Sequence, residues 1–288
     1  MKATTLCACA VIGVSLPAAA TAQNVRLEGE AGAGILMSAA QRAYETAKAG
    51  ARLPAVTLNS SASALAKLCR GEVGAAGTLR QATAAEKAAC AQSKLALVEL
   101  PVATDAATLI VNPGNGWAKE VSMADLRRIW LEAPAKPARW NEVNNGWPEA
   151  PLKLYGPTAG MGLSTTLRAA LAGGGEAQPL RRDISVTEVL STVVEGVARD
   201  RAGFGLVDRA TYAANAKRVR HVPIAGGAGV AEFTVYVYAS SKSLEDAGLR
   251  AYLEHLVSQG PRLATAAGLG ALDGAAYEEA RKRLSVQR

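Results

Sequence analysis

The chain has 288 residues, 49% hydrophobic and 20% charged, with 32 Lys and Arg against 25 Asp and Glu for a formal charge of +7. That length admits one large domain or two of ordinary size, and the balance excludes a collagen-like chain, an acidic disordered tail and a polytopic membrane protein. The basic residues are scattered rather than blocked, so the net charge makes no case for nucleic acid as a partner.

The first elements in chain order belong to export. Lys2 is a minimal positive region, Leu6 to Leu16 is an apolar stretch, and Pro17 leads into Ala20-Thr21-Ala22, a small-x-small cleavage site. Residues 1–22 therefore read as a cleavable signal peptide, with the mature chain starting near Gln23. The apolar run falls short of the about 20 residues a membrane anchor needs. Leu6-Cys7-Ala8-Cys9 stands at the start of that run and not after it, where a lipoprotein box would sit. Cleavage removes Cys7 and Cys9 and leaves Cys69 and Cys90. An even count in an oxidising compartment reads as one disulfide, and closing a loop of about 22 residues stabilises by roughly 3–4 kcal/mol.

Short β-branched runs then alternate with helical patterns. Val25–Leu27 and Val56–Leu58 read as strands, with a helix over Ser38–Ala49 between them and Gly50 as its stop. Thr83-Ala84-Ala85-Glu86 is a capping box for a helix running through Cys90. Leu95–Val102 and Thr108–Val111 read as two buried strands, and Ser122 to Asp125 caps a helix ending near Trp130. Leu152–Tyr155 is a strand, followed by a helix around Ser164–Leu171. Ser185-Val186-Thr187-Glu188 reads as another capping box, for a helix reaching Arg199. Phe204–Val207 and Val219–Pro223 are short strands, and Phe233–Tyr238 alternates as a half-buried strand does. Helices over Leu244–Ser258 and Ala275–Leu284 close the chain. This alternation argues for α/β units with largely parallel sheets. Ala133–Trp147 and Ala225–Gly229 read as linkers, and Gly173–Gly175 as a mobile surface loop.

Chemistry-bearing constellations are sparse. His221 and His255 are far apart and outside any cluster with metal spacing, so no metal or cofactor is expected. No nucleophile elbow, P-loop or paired-carboxylate arrangement stands out, which argues against an enzyme. Gly32-Ala33-Gly34 follows a strand and precedes a helix, where it either lays N–H groups around an anion or makes a tight turn. Trp117, Trp130, Trp140 and Trp147 crowd one region, either to stack a ligand or to pack a small lobe otherwise poor in aromatics.

Longer segments carry a resemblance. Glu99-Leu100-Pro101-Val102-Ala103, Asp105 and Leu109-Ile110-Val111-Asn112-Pro113 resemble the crossing strand of the periplasmic phosphate-binding proteins of ABC importers. The likeness continues through Asp125 to Trp130, Trp140 to Asn144, Trp147-Pro148, Leu152 to Pro157, Gly203-Phe204-Gly205 and Val222-Pro223-Ile224. Cys69-Arg70-Gly71-Glu72 and Cys90 match a cysteine pair in one branch of the family. The resemblance implies a two-lobed α/β fold, type II among periplasmic binding proteins, with a ligand cleft between the lobes. The chain crosses near Pro101–Thr108 and returns near Glu232–Tyr238. Lobe one is expected to be residues 24–104 plus 234–288, and lobe two residues 105–233. It also implies a periplasmic monomer, a small anionic or zwitterionic solute, and an ABC permease of the inner membrane as partner.

The ligand motifs depart from the family's. A Gly-Ser-Ser-Thr turn after the first strand reads Gly29-Glu30-Ala31-Gly32 here, and the glycine-rich turn after Ser-Ser is shortened to Ser60-Ser61-Ala62-Ser63-Ala64. Gly74 stands where an Asp precedes the next loop, Arg80 is kept, and Ser-Gly-Thr at a helix start becomes Met161-Gly162-Leu163. A hydrogen bond to a charged group is worth about 1.5–3 kcal/mol, and micromolar binding about −8 kcal/mol in all. Losing about three or four hydroxyl donors therefore removes most of the affinity for phosphate. An ionised Glu30 in the cleft would also repel a dianion. The expected binding residues are Arg80, Glu30, Gly32, Ser60, Ser61 and Gly162, with Met161 on the same rim. Glu30 and Arg80 are expected as opposite-charge contacts to a solute, since nothing adjacent supplies Arg80 with an obvious structural partner. The reading is an exported solute-binding module whose cleft takes a solute other than tightly held phosphate. The alternatives are a phosphate-binding importer subunit and a ligand-free scaffold for a protein partner.

Overall fold

Strand β1 (Leu27–Gly29) runs parallel to β2 (Val56–Leu58) on one side and to β3 (Ala75–Thr78) on the other, in a computed structural model that describes residues 25–226 and 231–286. The signal peptide expected over residues 1–22 lies outside the described residues, as does most of the Ala225–Gly229 stretch. Parallel neighbours need crossovers, here the helices α1 (Ala31–Ala47) and α2 (Ser61–Cys69). Helix α3 (Ala84–Gln92) opens on the Thr83–Glu86 capping box. The chain then enters β4 (Leu97–Val111), a single strand of 15 residues.

Beyond β4 lie α4 (Met123–Trp130), the single turn α5 (Trp140–Val143), β5 (Lys153–Pro157) and α6 (Gly162–Ala172). They are followed by β6 (Ser185–Thr187), α7 (Leu190–Arg199), β7 (Gly203–Asp208), α8 (Arg209–Asn215) and β8 (Arg220–His221). In this half β5 pairs in parallel with β6 and β7, while β7 and β8 run antiparallel to the far end of β4. Strand β9 (Glu232–Ser240) returns along β4, with Leu97 opposite Ser240 and Ala106 opposite Glu232. The strand order is β2-β1-β3-β9-β4-β7-β5-β6, with β8 beside β4. Helices α9 (Ala247–Ser258), α10 (Gly260–Ala266) and α11 (Gly274–Ser285) pack back on the first half.

Each half has its own core, as a two-lobed α/β fold requires. Leu27, Leu36 and Met37 meet Leu100, Val102, Val235 and Val237, covered by Tyr252, Leu256 and Tyr277. The Tyr252 and Tyr277 hydroxyls donate to the Met37 and Val102 carbonyls, each at 2.9 Å. A smaller cluster on the other face of β3 and β9 holds Leu65, Leu68, Ala76 and Tyr238. Cys69 and Cys90 form a disulfide there, joining α2 to α3 with Cα atoms 4.5 Å apart. The second lobe is filled by Leu163, Leu167, Val193, Val197, Leu206 and the aromatic group around Phe204. Trp130 and Trp140 are fully buried against Phe204, and Trp147 stands edge-on to Trp140. These tryptophans pack the lobe, and the 133–147 segment belongs to that core through Trp140.

Three local readings change. The strands expected at 95–102 and 108–111 are one strand, because β9 pairs with it as far as Ala106, through a register shift between Pro101 and Ala103, and β7 takes over from Ala107. The helix expected from Ser38 begins at Ala31, so Gly32-Ala33-Gly34 is its first turn. Ser185–Thr187 is not a capping box but strand β6, and α7 begins only at Leu190. Val186 and Thr187 are β-branched, and pairing Tyr155 with Ser185 and Pro157 with Thr187 outweighs the local signal.

Candidate functional site

Every parallel strand ends in a turn that feeds a helix, and the two lobes aim these ends at one another. Ligands in open α/β sheets bind at such carboxyl ends, where helix N-termini present unpaired N–H groups. From the first lobe come Glu30 after β1 and Ser60-Ser61 after β2. From the second come Met161-Gly162-Leu163 after β5 and Asp208 at the end of β7.

Glu30 is fully buried at the centre of this arrangement. Its Oε2 accepts from the Ser61 N–H at 3.0 Å, from the Ser61 hydroxyl, and from the Gly162 N–H at 3.0 Å. Its Oε1 accepts from the Leu163 N–H at 3.4 Å. The Ser61 hydroxyl oxygen accepts in turn from the Leu79 N–H at 3.1 Å. One carboxylate thus spans α2 in its own lobe and α6 in the other. Burial pushes the Glu30 carboxyl above the usual carboxylate range, and the Ser61, Gly162 and Leu163 donors pull it partly back. Gly162 makes the approach possible: a Cβ there would sit 3.2 Å from the Leu79 Cβ and 3.3 Å from the Glu30 Oε2. Ala31, the residue after Glu30, packs into the second lobe's core.

The other expected residues divide. Ser61 and Gly162 meet at Glu30. Ser60 caps its own helix, its hydroxyl oxygen accepting from the Ser63 N–H at 3.3 Å. Arg80 has a structural partner after all: its Nη1 and Nη2 donate to both oxygens of Glu86, at 2.8 and 2.7 Å. Nη1 also donates to the Gln81 carbonyl at 2.9 Å. Both side chains of the pair are largely buried, at 16% and 19% exposure, and Glu86 also closes the α3 capping box. Glu30 acts on the guanidinium only through space. The expected pairing of Glu30 and Arg80 around a solute is therefore replaced by two internal contacts. The sequence offered a sign of this, since Glu86 was already legible as a capping residue six positions beyond Arg80.

Gly32 lies in the first turn of α1 against two carboxyls that sequence reasoning missed. A Cβ on Gly32 would fall 2.6 Å from Asp105 Oδ2 and 3.1 Å from Asp208 Oδ2, and both acids are fully buried. Asp105, on β4, accepts through Oδ1 from the Ala106 and Arg209 N–H groups at 2.7 and 3.0 Å. Asp208 caps α8 through the Thr211 N–H at 2.7 Å. Their Oδ2 atoms lack a full hydrogen bond among the described residues, although the Gly32 N–H leans toward Asp208. Burial and the neighbouring Asp208 charge push Asp105 up to about 8, and burial raises Asp208 as well. Two such acids do not both ionise at neutral pH, so the pair holds a proton. The signal available was Asp208-Arg209-Ala210-Thr211, a helix-cap pattern directly after a strand.

Fold and cleft together define a two-lobed binding protein. A solved structure from Clostridium perfringens with bound phosphate superposes with a TM-score of 0.71 at 17% identity, over 86% of this chain and 99% of that one. A phosphate-binding protein from Stenotrophomonas maltophilia does so with a TM-score of 0.67 at 12% identity, over 91% and 94%. A family model described as a PBP superfamily domain matches residues 17–260, and the chain belongs to that family. Protein SphX of Synechococcus elongatus is 26% identical over 234 residues, covering 75% of this chain and 68% of that protein. The phosphate-binding protein PstS of Staphylococcus saprophyticus is 23% identical over 203 residues, 65% of this chain and 61% of that one. The matched segment thus spans about two thirds or less of these relatives' own lengths.

Proposed function

We propose that the chain is an exported solute-binding module of the ABC-importer type whose cleft does not serve high-affinity phosphate capture. The carrying observation is the Glu30 carboxylate, which occupies the donors of two helix N-termini that an incoming oxyanion would need. A free dianion would have to displace it, and both cannot share a buried site without strong repulsion. The relatives named phosphate-binding, and the fold shared with them, support the transport setting: a periplasmic location and a permease that receives the solute. We take residues 24–104 plus 234–288 as one lobe and 105–233 as the other, consistent with the two cores. Titration calorimetry of the mature protein with phosphate, amino acids and organic acids tests this. Saturable heat with a non-phosphate solute, seated beside Glu30 and not on the N–H donors that Glu30 holds, is expected, and micromolar phosphate binding would overturn it. The contact between lobes through Glu30 also favours a second reading, a module closed without solute that docks a protein partner. Flat isotherms throughout, with a specific partner recovered by pulldown, would select it.

A further inference from the structure

We infer that Glu30 is an internal ligand: a carboxylate supplied by one lobe that latches the cleft shut on the helix N-terminus of the other, so that an oxyanion enters only when this side chain is removed. The inference deepens the reading above and rests on the same cleft. Three observations carry it. Glu30 stands at the N-cap of α1, yet its carboxylate makes no capping bond to its own helix. It turns instead to Ser61 at the start of α2 and to Gly162 and Leu163 at the start of α6, helices of 9 and 11 residues. The donors it engages are buried, so the site is built around this group. Finally, Gly162 seats closely against Leu79 and Glu30, where a Cβ would stand 3.2 and 3.3 Å from them, so the closed geometry is part of the packing.

The chemistry follows from these contacts. An oxyanion cradle made of two helix N-termini and one hydroxyl accepts a carboxylate or a phosphate oxygen alike. A tethered carboxylate acts at an effective concentration that a free anion at millimolar level does not match. The charges facing the latch are Arg80, which favours an anion there, and Glu86, which neutralises Arg80 in turn. Asp105 and Asp208 stand against Gly32 in the first turn of α1.

The experiment compares wild type with Glu30→Ala, using inorganic phosphate and acetate as probes, by calorimetry, thermal shift and small-angle scattering. Wild type is expected to stay compact and unresponsive to either anion at millimolar concentration. Glu30→Ala is expected to show a larger radius of gyration when anion-free, to bind both anions saturably, and to contract and gain several degrees in melting temperature as they bind. A variant that remains compact and binds neither anion overturns the latch while leaving the solute-binding reading standing. A wild-type protein that binds phosphate as well as the variant overturns both. Should Glu30→Ala fail to fold, Gly162→Leu replaces it, because a side chain larger than the already tight methyl must displace Leu79 or Glu30. An expanded Gly162→Leu protein supports the latch, and one with wild-type dimensions refutes it.

Discussion

Buried carboxyls set the behaviour of single residues here. Asp105 is held to about 8 in the folded chain by burial and by Asp208, whereas it titrates near 4 when unfolded. The folded state therefore keeps a proton that the unfolded state releases, and stability falls as pH rises from about 4 through about 8. Asp105→Asn should flatten that fall, because its amide reproduces the protonated acid: Oδ1 still accepts from Ala106 and Arg209 while Nδ2 faces Asp208. Melting temperatures of the two proteins should agree near pH 5, and the variant should be the more stable near pH 9. Equal curves would remove the buried pair from the account. Arg80 leads to a different expectation. Since its guanidinium is spent on Glu86, Arg80→Ala should cost about 1–3 kcal/mol in chemical denaturation and leave solute affinity unchanged. A loss of binding with full stability would return Arg80 to the site. Glu30 was legible as the residue that breaks a family turn. Its partners at α6 lie 132 and 133 positions away, and only the tertiary fold brings them together.

Elements with a strong local cause were the easiest to read. The Thr83–Glu86 and Ser122–Asp125 boxes both close with reciprocal bonds in the structure. The same pattern at Ser185–Glu188 failed because a strand partner was available to it and none was visible in the sequence. Helix α1 starts seven residues ahead of its expected first turn, since Gly32 and Gly34 argue against a helix by propensity. Tertiary contact explains both glycines: Gly32 leaves room for the two acids, and a Cβ on Gly34 would run into the Leu58 side chain. The Cys69–Cys90 bond, whose ends are 21 positions apart in sequence, ties α2 to α3 beside the Arg80–Glu86 pair. Reduction should lower stability by roughly 3–4 kcal/mol, measured as a shift of the denaturation midpoint. Mature oxidised protein should contain no titratable thiol, and two free thiols would contradict the bridge.

For the whole molecule, the α/β class followed from the alternation of strands and helices and the two-lobed plan from the family resemblance. The sheets are mixed and not largely parallel, because β4 and β9 pair antiparallel with each other and with their neighbours β7, β8 and β3. The resemblance placed the crossing near Pro101–Thr108, but residue pattern alone split the run into two strands, because the two sheets that share Leu97 to Val111 are set by partners distant in sequence. That sharing bears on how the protein comes apart. β4 contributes Leu100 and Val102 to one core and Leu109 to Val111 to the other, so neither lobe can melt without stripping the other of a central strand. The lobes are separate in their cores yet wedded for unfolding. Scanning calorimetry should accordingly show one cooperative peak, with calorimetric and van't Hoff enthalpies in agreement. Two resolved peaks would mean that the strand can fray at Thr104–Asp105 and let each half survive alone.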